Sequence, residues 1–75
     1  MISEEKELYD AVDKFAVEMK LRLNSKRKQG WSGWRHAKDI PGRLLRNAAK
    51  GVVMKDQKSL VDTANLAMFL WLTKR

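Results

Sequence analysis

Residues Leu60 to Leu72 read LVDTANLAMFLWL, ten apolar residues interrupted only by Asp62, Thr63 and Asn65. A helix this apolar around its circumference has no face to offer water and has to be covered from several sides. Leu60, Ala64, Ala67 and Trp71 fall along one edge at helical spacing, with Val61, Met68 and Leu72 beside them. Leu66, Phe69 and Leu70 cover much of the rest. Two short helices of the same chain do not easily enclose such a surface. The sequence therefore predicts the 57–73 helix as a subunit interface, in a bundle completed across a dimer axis. Within it, Asp62 and Asn65 stand i, i+3 and share one face. A carboxylate in an apolar setting is costly unless paired. Asp62 calls for a cation, a metal or hydrogen-bond donors, either as a structural partner holding helices in register or as part of a ligand site.

The rest of the chain is also helical by periodicity. Leu8, Val12, Phe15, Met19 and Leu23 keep helical spacing, and Ala11 and Ala16 widen the stripe. Ser3 can cap this helix, Glu4, Glu5 and Glu7 suit its positive dipole end, and Lys20, Arg22, Lys26, Arg27 and Lys28 suit its other end. The spacing predicts a helix over 3–27. Gly30 and Gly33 then interrupt the pattern in GWSGW, where glycine permits tight turns. Trp31 and Trp34 are too large to leave wet and are expected to anchor this connection against the bundle; the alternative is a platform on which a base stacks. Asp39 is placed to cap a second helix with Pro41 in its first turn, Ile40, Leu44, Leu45, Ala48 and Ala49 as its buried stripe, and Gly51 as its C′ stop, over 40–50. Asp56 is placed to cap the third. There is no strand pattern, internal repeat or low-complexity tract. The expectation is an all-α single domain over 1–75, a three-helix protomer assembling into a homo-oligomeric helical bundle.

Size and composition support self-association. A chain of 75 residues buries a modest fraction of its surface and needs a staple or a partner. It has no cysteine and one histidine, His36, so neither a disulfide framework nor a zinc site of cysteines and histidines is available. The formal charge is +7 and is unevenly spread. Six of the nine acids lie between Glu4 and Glu18, whereas Lys20 to Lys50 holds ten basic residues and one acid, Asp39. Such a block attracts phosphates of a nucleotide, a nucleic acid or a lipid headgroup, or serves only as a solvated face. The N-terminus is acidic and lacks an apolar h-region, so no signal peptide is read. The unbroken apolar run Leu66 to Leu72 is far short of the roughly 20 residues that span a bilayer. The expectation is a soluble cytoplasmic protein with no membrane partner.

Two phrases carry a family resemblance. One is Met19-x-x-x-Leu23-x-x-Lys26-Arg27-x-x-Gly30-x-x-Gly33-Trp34; the other is Lys50-Gly51 followed by Leu60 to Trp71, LVDTANLAMFLW. Together, over about 12–72, the chain resembles small MazG-like proteins of bacteria and phages, relatives of the all-α nucleoside triphosphate pyrophosphohydrolases. In that family the resemblance implies magnesium held by an ExxE helix and a following ExxxD helix, because magnesium demands near-octahedral oxygen coordination and must neutralise phosphate charge while water attacks. Asp62 matches the family aspartate and Asn65 the family asparagine. The position four before Asp62 is Lys58, and the second helix, GRLLRNAAKG, carries no acid. The interval Val52 to Lys58 reads as an insertion relative to the shortest versions.

With one acid where several are needed, the sequence reading is a non-catalytic binding protein, related to MazG-like enzymes and phage-encoded by resemblance. It would hold a phosphate-bearing ligand (a nucleotide) or a partner protein, such as a host protein. Arginine and lysine bind phosphate directly. The candidate ligand residues are Asp62, Asn65, Arg46, Asn47, Lys50, Lys26, Arg27 and Trp34, with Asp62 and Asn65 facing Arg46, Asn47 or Lys50. No catalytic residue, resident metal or cofactor is assigned. One alternative is a basic DNA- or RNA-binding protein. The other is an active magnesium-dependent pyrophosphohydrolase whose carboxylates, Asp13 and Glu18, come from a neighbouring subunit.

Overall fold

The first helix begins where the sequence places its cap. In this computed structural model, which describes residues 3–30, 33 and 38–74, the Ser3 hydroxyl accepts from the Lys6 backbone N–H at 3.1 Å. Helix α1 (Glu4–Lys28) follows, with three glutamates in its first turn and three bases in its last. It ends as the Gly30 N–H donates to the Arg27 carbonyl at 3.0 Å. Gly30 and Gly33 have φ of +91° and +75°, left-handed values that favour glycine. Trp31 and Trp34 lie outside the described residues.

Helix α2 (Ile40–Val53) starts as predicted but runs three residues beyond 40–50. Asp39 stands at the N-cap position without capping through its side chain; its carboxylate pairs with Arg43 at 3.5 Å instead. Gly51 is not the C′ stop. It is buried inside the helix, and a Cβ there would stand 2.7 Å from Leu60 Cδ2 and 3.2 Å from the Leu60 backbone nitrogen. This glycine lets α2 and α3 approach. The left-handed residue after the helix is Lys55, φ +55°.

Helix α3 (Gln57–Lys74) is capped by Asp56, which accepts from the Lys58 N–H at 3.2 Å and the Ser59 hydroxyl at 2.8 Å. Those donors, Ser59 first, together with the Lys50 ammonium hold the Asp56 carboxyl below the ordinary carboxylate range against the effect of burial.

Both α1 and α2 pack on α3. The core is Ile40, Leu66 and Phe69, with Leu23, Leu44, Met68 and Leu70 packed against it. Helix α2 meets α3 through the line Ile40, Leu44, Ala48, Gly51, each buried or half-buried, so the wider stripe expected from sequence is wrong: Leu45 and Ala49 are exposed. Of the α1 stripe only Ala16, Met19 and Leu23 are half-buried, and every residue from Glu4 to Phe15 is exposed. Among the described residues there is no strand, and no helix is long and apolar enough to cross a membrane.

Gly51→Ala should destabilise the protein by about 1–3 kcal/mol through overpacking on Leu60, despite the better helix propensity of alanine. Gly42→Ala, where a Cβ meets nothing within 4 Å, should gain about 0.5–1 kcal/mol. Urea melts of the two variants check the opposite signs. Because the Asp56 pKa is depressed on folding, its contribution is full above about pH 4 and lost as pH falls through the folded value. Asp56→Ala should therefore flatten the loss of stability as pH falls below about 4, measured by denaturation across a pH series.

Candidate functional site

Asp62 is gripped by α1. Arg22 presents its guanidinium edge-on to the carboxylate, Nε donating to Oδ1 at 2.8 Å and Nη2 to Oδ2 at 3.2 Å. The Asp62 side chain is 13% exposed and that of Arg22 32%, so the pair is half-buried, its carboxylate more than its guanidinium. One turn further along α3, the Asn65 amide donates to the Met19 carbonyl at 3.3 Å. Two α3 residues a turn apart thus hold two α1 residues a turn apart, which fixes the antiparallel register of the helices. The Asp62 hydrogen bond raises the Arg22 pKa above its already high ordinary value, against the opposing effect of burial. Arg22 stays charged at any working pH.

Beside this pair lies a cleft of about 90 Å³. Its polar walls are Lys26 from α1, Arg43 and Asn47 from α2, and Asp62 and Asn65 from α3; Leu23, Leu66 and Phe69 give it an apolar floor. Lys26 has no ion-pair partner among the described residues. Arg43 has only the solvated contact with Asp39, of a kind worth little. Asn47 donates to the Arg43 carbonyl at 2.8 Å. Asn65 is 4% exposed, and its side-chain carbonyl oxygen is buried without a hydrogen-bond partner among the described residues. Rotating that amide would set its oxygen against the Met19 carbonyl, two acceptors face to face, so the orphan is an acceptor. The cleft thus offers two cations and a carboxylate already matched by an arginine, with the orphan acceptor of Asn65 enclosed in the protein beside it.

Of the residues predicted from sequence, Asp62, Asn65, Asn47 and Lys26 come together here. Asp62 does not face Arg46 or Lys50. Arg46 is exposed and outside the cleft, as is Arg27, while the Lys50 ammonium stands 3.8 Å from Asp56. Trp34 lies outside the described residues. Sequence reasoning missed Arg22 as the partner of Asp62, because in a row of last-turn cations it reads as dipole compensation. Its spacing from Met19, i+3 on the same face, was the available signal. Arg43, one of the second helix's bases along with Arg46 and Lys50, is the one that lines the cleft, although it stood outside the predicted ligand set. Asp13 and Glu18 are exposed on α1 and do not line the cleft. Among the described residues no group of three or more His, Cys, Asp or Glu could hold a metal ion. No family model, curated protein or solved structure matches this chain.

Asp62→Ala should cost about 2–3 kcal/mol, less than the roughly 3–5 kcal/mol of a fully buried pair because Arg22 keeps some water. In a domain of this size that lowers Tm by roughly 10 °C or more. The double variant Arg22→Met with Asp62→Leu should recover most of the loss, since an apolar pair leaves no uncompensated charge. Thermal melts of the single and double variants make the comparison.

Proposed function

We propose that this chain is a non-catalytic binding protein that takes a phosphate-bearing ligand, a nucleotide, by its phosphoryl end in the cleft between the three helices. The observation that carries the reading is the convergence of Lys26 and Arg43 beside an aspartate whose charge Arg22 already balances. The local field is therefore positive although an acid lines the wall. The size supports a terminal group rather than a whole ligand: about 90 Å³ is room for about three waters, against roughly 300 Å³ and more for pockets that enclose small molecules. A phosphoryl group would enter, with sugar and base outside. The reading keeps the relation to MazG-like pyrophosphohydrolases as its rationale. The aspartate matching that family's metal ligand is here bound by a guanidinium, which competes for the same two oxygens. It also has the protein acting in the cytoplasm as a homo-oligomer.

Two charge-assisted hydrogen bonds support about −4 kcal/mol of binding, a Kd on the order of 1 mM. At 10 mM ligand, mass action then adds about 1.4 kcal/mol, roughly 6–11 °C in Tm. A thermal-shift panel of deoxynucleoside triphosphates, monophosphates and inorganic pyrophosphate should show this shift with or without magnesium, and Lys26→Ala with Arg43→Ala should remove it. No shift with any of these would end the proposal. Release of pyrophosphate in magnesium, lost in Asp62→Asn, would replace it with the enzymatic alternative.

A further inference from the structure

The first half of α1 is a helix without a partner. Leu8, Val12 and Phe15 continue the same stripe whose later members, Met19 and Leu23, pack in the fold. They remain 58%, 65% and 40% exposed. At 1.5 Å per residue, α1 is about 37 Å long in a molecule whose extents are 46 × 27 × 25 Å. None of its residues is buried. Alongside runs a groove of about 1130 Å³, with apolar lining from Ala11, Phe15, Val17 and Leu21 of α1 and Leu60 and Val61 of α3. A core of three buried apolar residues is a small reserve for a chain of this length.

We propose that the occupant of this groove is α1 of a second copy, laid antiparallel across a two-fold axis near Phe15. Charge selects that occupant and direction. Residues 4–18 carry six acids and two bases, a net charge of −4, whereas residues 20–28 carry five bases and no acid, a net charge of +5. Parallel pairing would set like halves together. With Arg22 set aside as the partner of Asp62, antiparallel pairing sets −4 against +4 twice, and a two-fold axis requires that each contact recur in reverse. An isolated membrane surface or nucleic acid would be repelled by the acidic half, which is the half that exposes the stripe. The 57–73 helix, expected from sequence to be the interface, supplies only its first turns, because its middle is covered by α2. Helix α2 has a rival exposed apolar set in Leu45, Val52 and Val53, but no matching acids.

The chain has no cysteine, so single cysteines report cleanly. Sedimentation velocity of the full chain at 50–100 µM (roughly the range where a Kd of about 10 µM is visible) should give about twice the 8.7 kDa chain mass, and Phe15→Glu should shift it to one chain mass with helical circular dichroism retained. Glu7→Cys and Ser25→Cys, which an axis near Phe15 sets opposite each other, should each fail to cross-link alone and should form a disulfide when mixed. Reversing Arg27 and Lys28 to glutamate should weaken the dimer at least tenfold, and adding Glu4→Lys with Glu7→Lys should restore it. A monomer at these concentrations would overturn the proposal. So would cross-linking of Glu7→Cys to itself, or a dimer that survives Phe15→Glu and is lost in Val53→Glu.

Discussion

The position of α1 depends on one forked ion pair. Helix α1 contributes no buried residue, so the hydrophobic effect supplies little of what aligns it with α3. Arg22–Asp62, backed by Asn65 on the Met19 carbonyl and the flank of Leu23, does the aligning. A bidentate guanidinium–carboxylate contact constrains distance, rotation and register together, whereas an apolar seam slides more easily. The cost is desolvation of two charges, which a buried ion pair only partly recovers. The pair is therefore better described as a registry device than as a source of stability. The cleft depends on it: Lys26 is one turn beyond Arg22 on α1, Asn65 one turn beyond Asp62 on α3, and a slip of either helix would separate them.

The second constraint is how a nearly all-apolar α3 is enclosed. Helix α2 achieves it by close approach, with Gly51 removing the side chain that would otherwise hold Leu60 away. Leu66 and Phe69 then reach the α2 face headed by Ile40. What remains uncovered on α3 is limited: Leu60 and Trp71 are the exposed large apolar residues among those described. The larger uncovered apolar surface lies on α1, whose amphipathic stripe is left open over Leu8, Val12 and Phe15.

Much of this was legible in the sequence, for identifiable reasons. Helix number, type and starts followed from apolar spacing and from Ser3, Asp39 and Asp56, since helix N-termini carry polar caps with local geometry. The C-terminus of α2 was misread because a glycine after Lys50 is an equally good stop signal and close-packing site, and only the position of α3 distinguishes them. The need of Asp62 for a partner was legible from burial cost alone. Its identity was not, because the choice between Arg22 and the α2 cations Arg46 and Lys50 is a matter of tertiary register, which a periodicity argument does not contain. Asn65, by contrast, was singled out correctly as sharing a face with Asp62, and that face is the one turned toward α1.

Charge balance shows why totals mislead for a chain of this kind. A net +7 suggests a uniformly basic particle suited to any polyanion. The folded chain is instead segregated: α1 is acidic over its free half and basic over its docked half, and the docked half shares a cleft with α2, whose described charges are all basic. Of the acids in that zone, Asp62 is matched by Arg22 and Asp39 makes only a solvated contact with Arg43, which leaves the excess on Lys26 and Arg43. Screening at physiological ionic strength confines such effects to about 8 Å, so these local groupings, and not the overall sum, decide what each surface attracts. An anion would be drawn to the cleft and repelled from the free half of α1, and a cationic helix face would experience the reverse. The two exposed features therefore call for opposite complements, and the same helix supplies both.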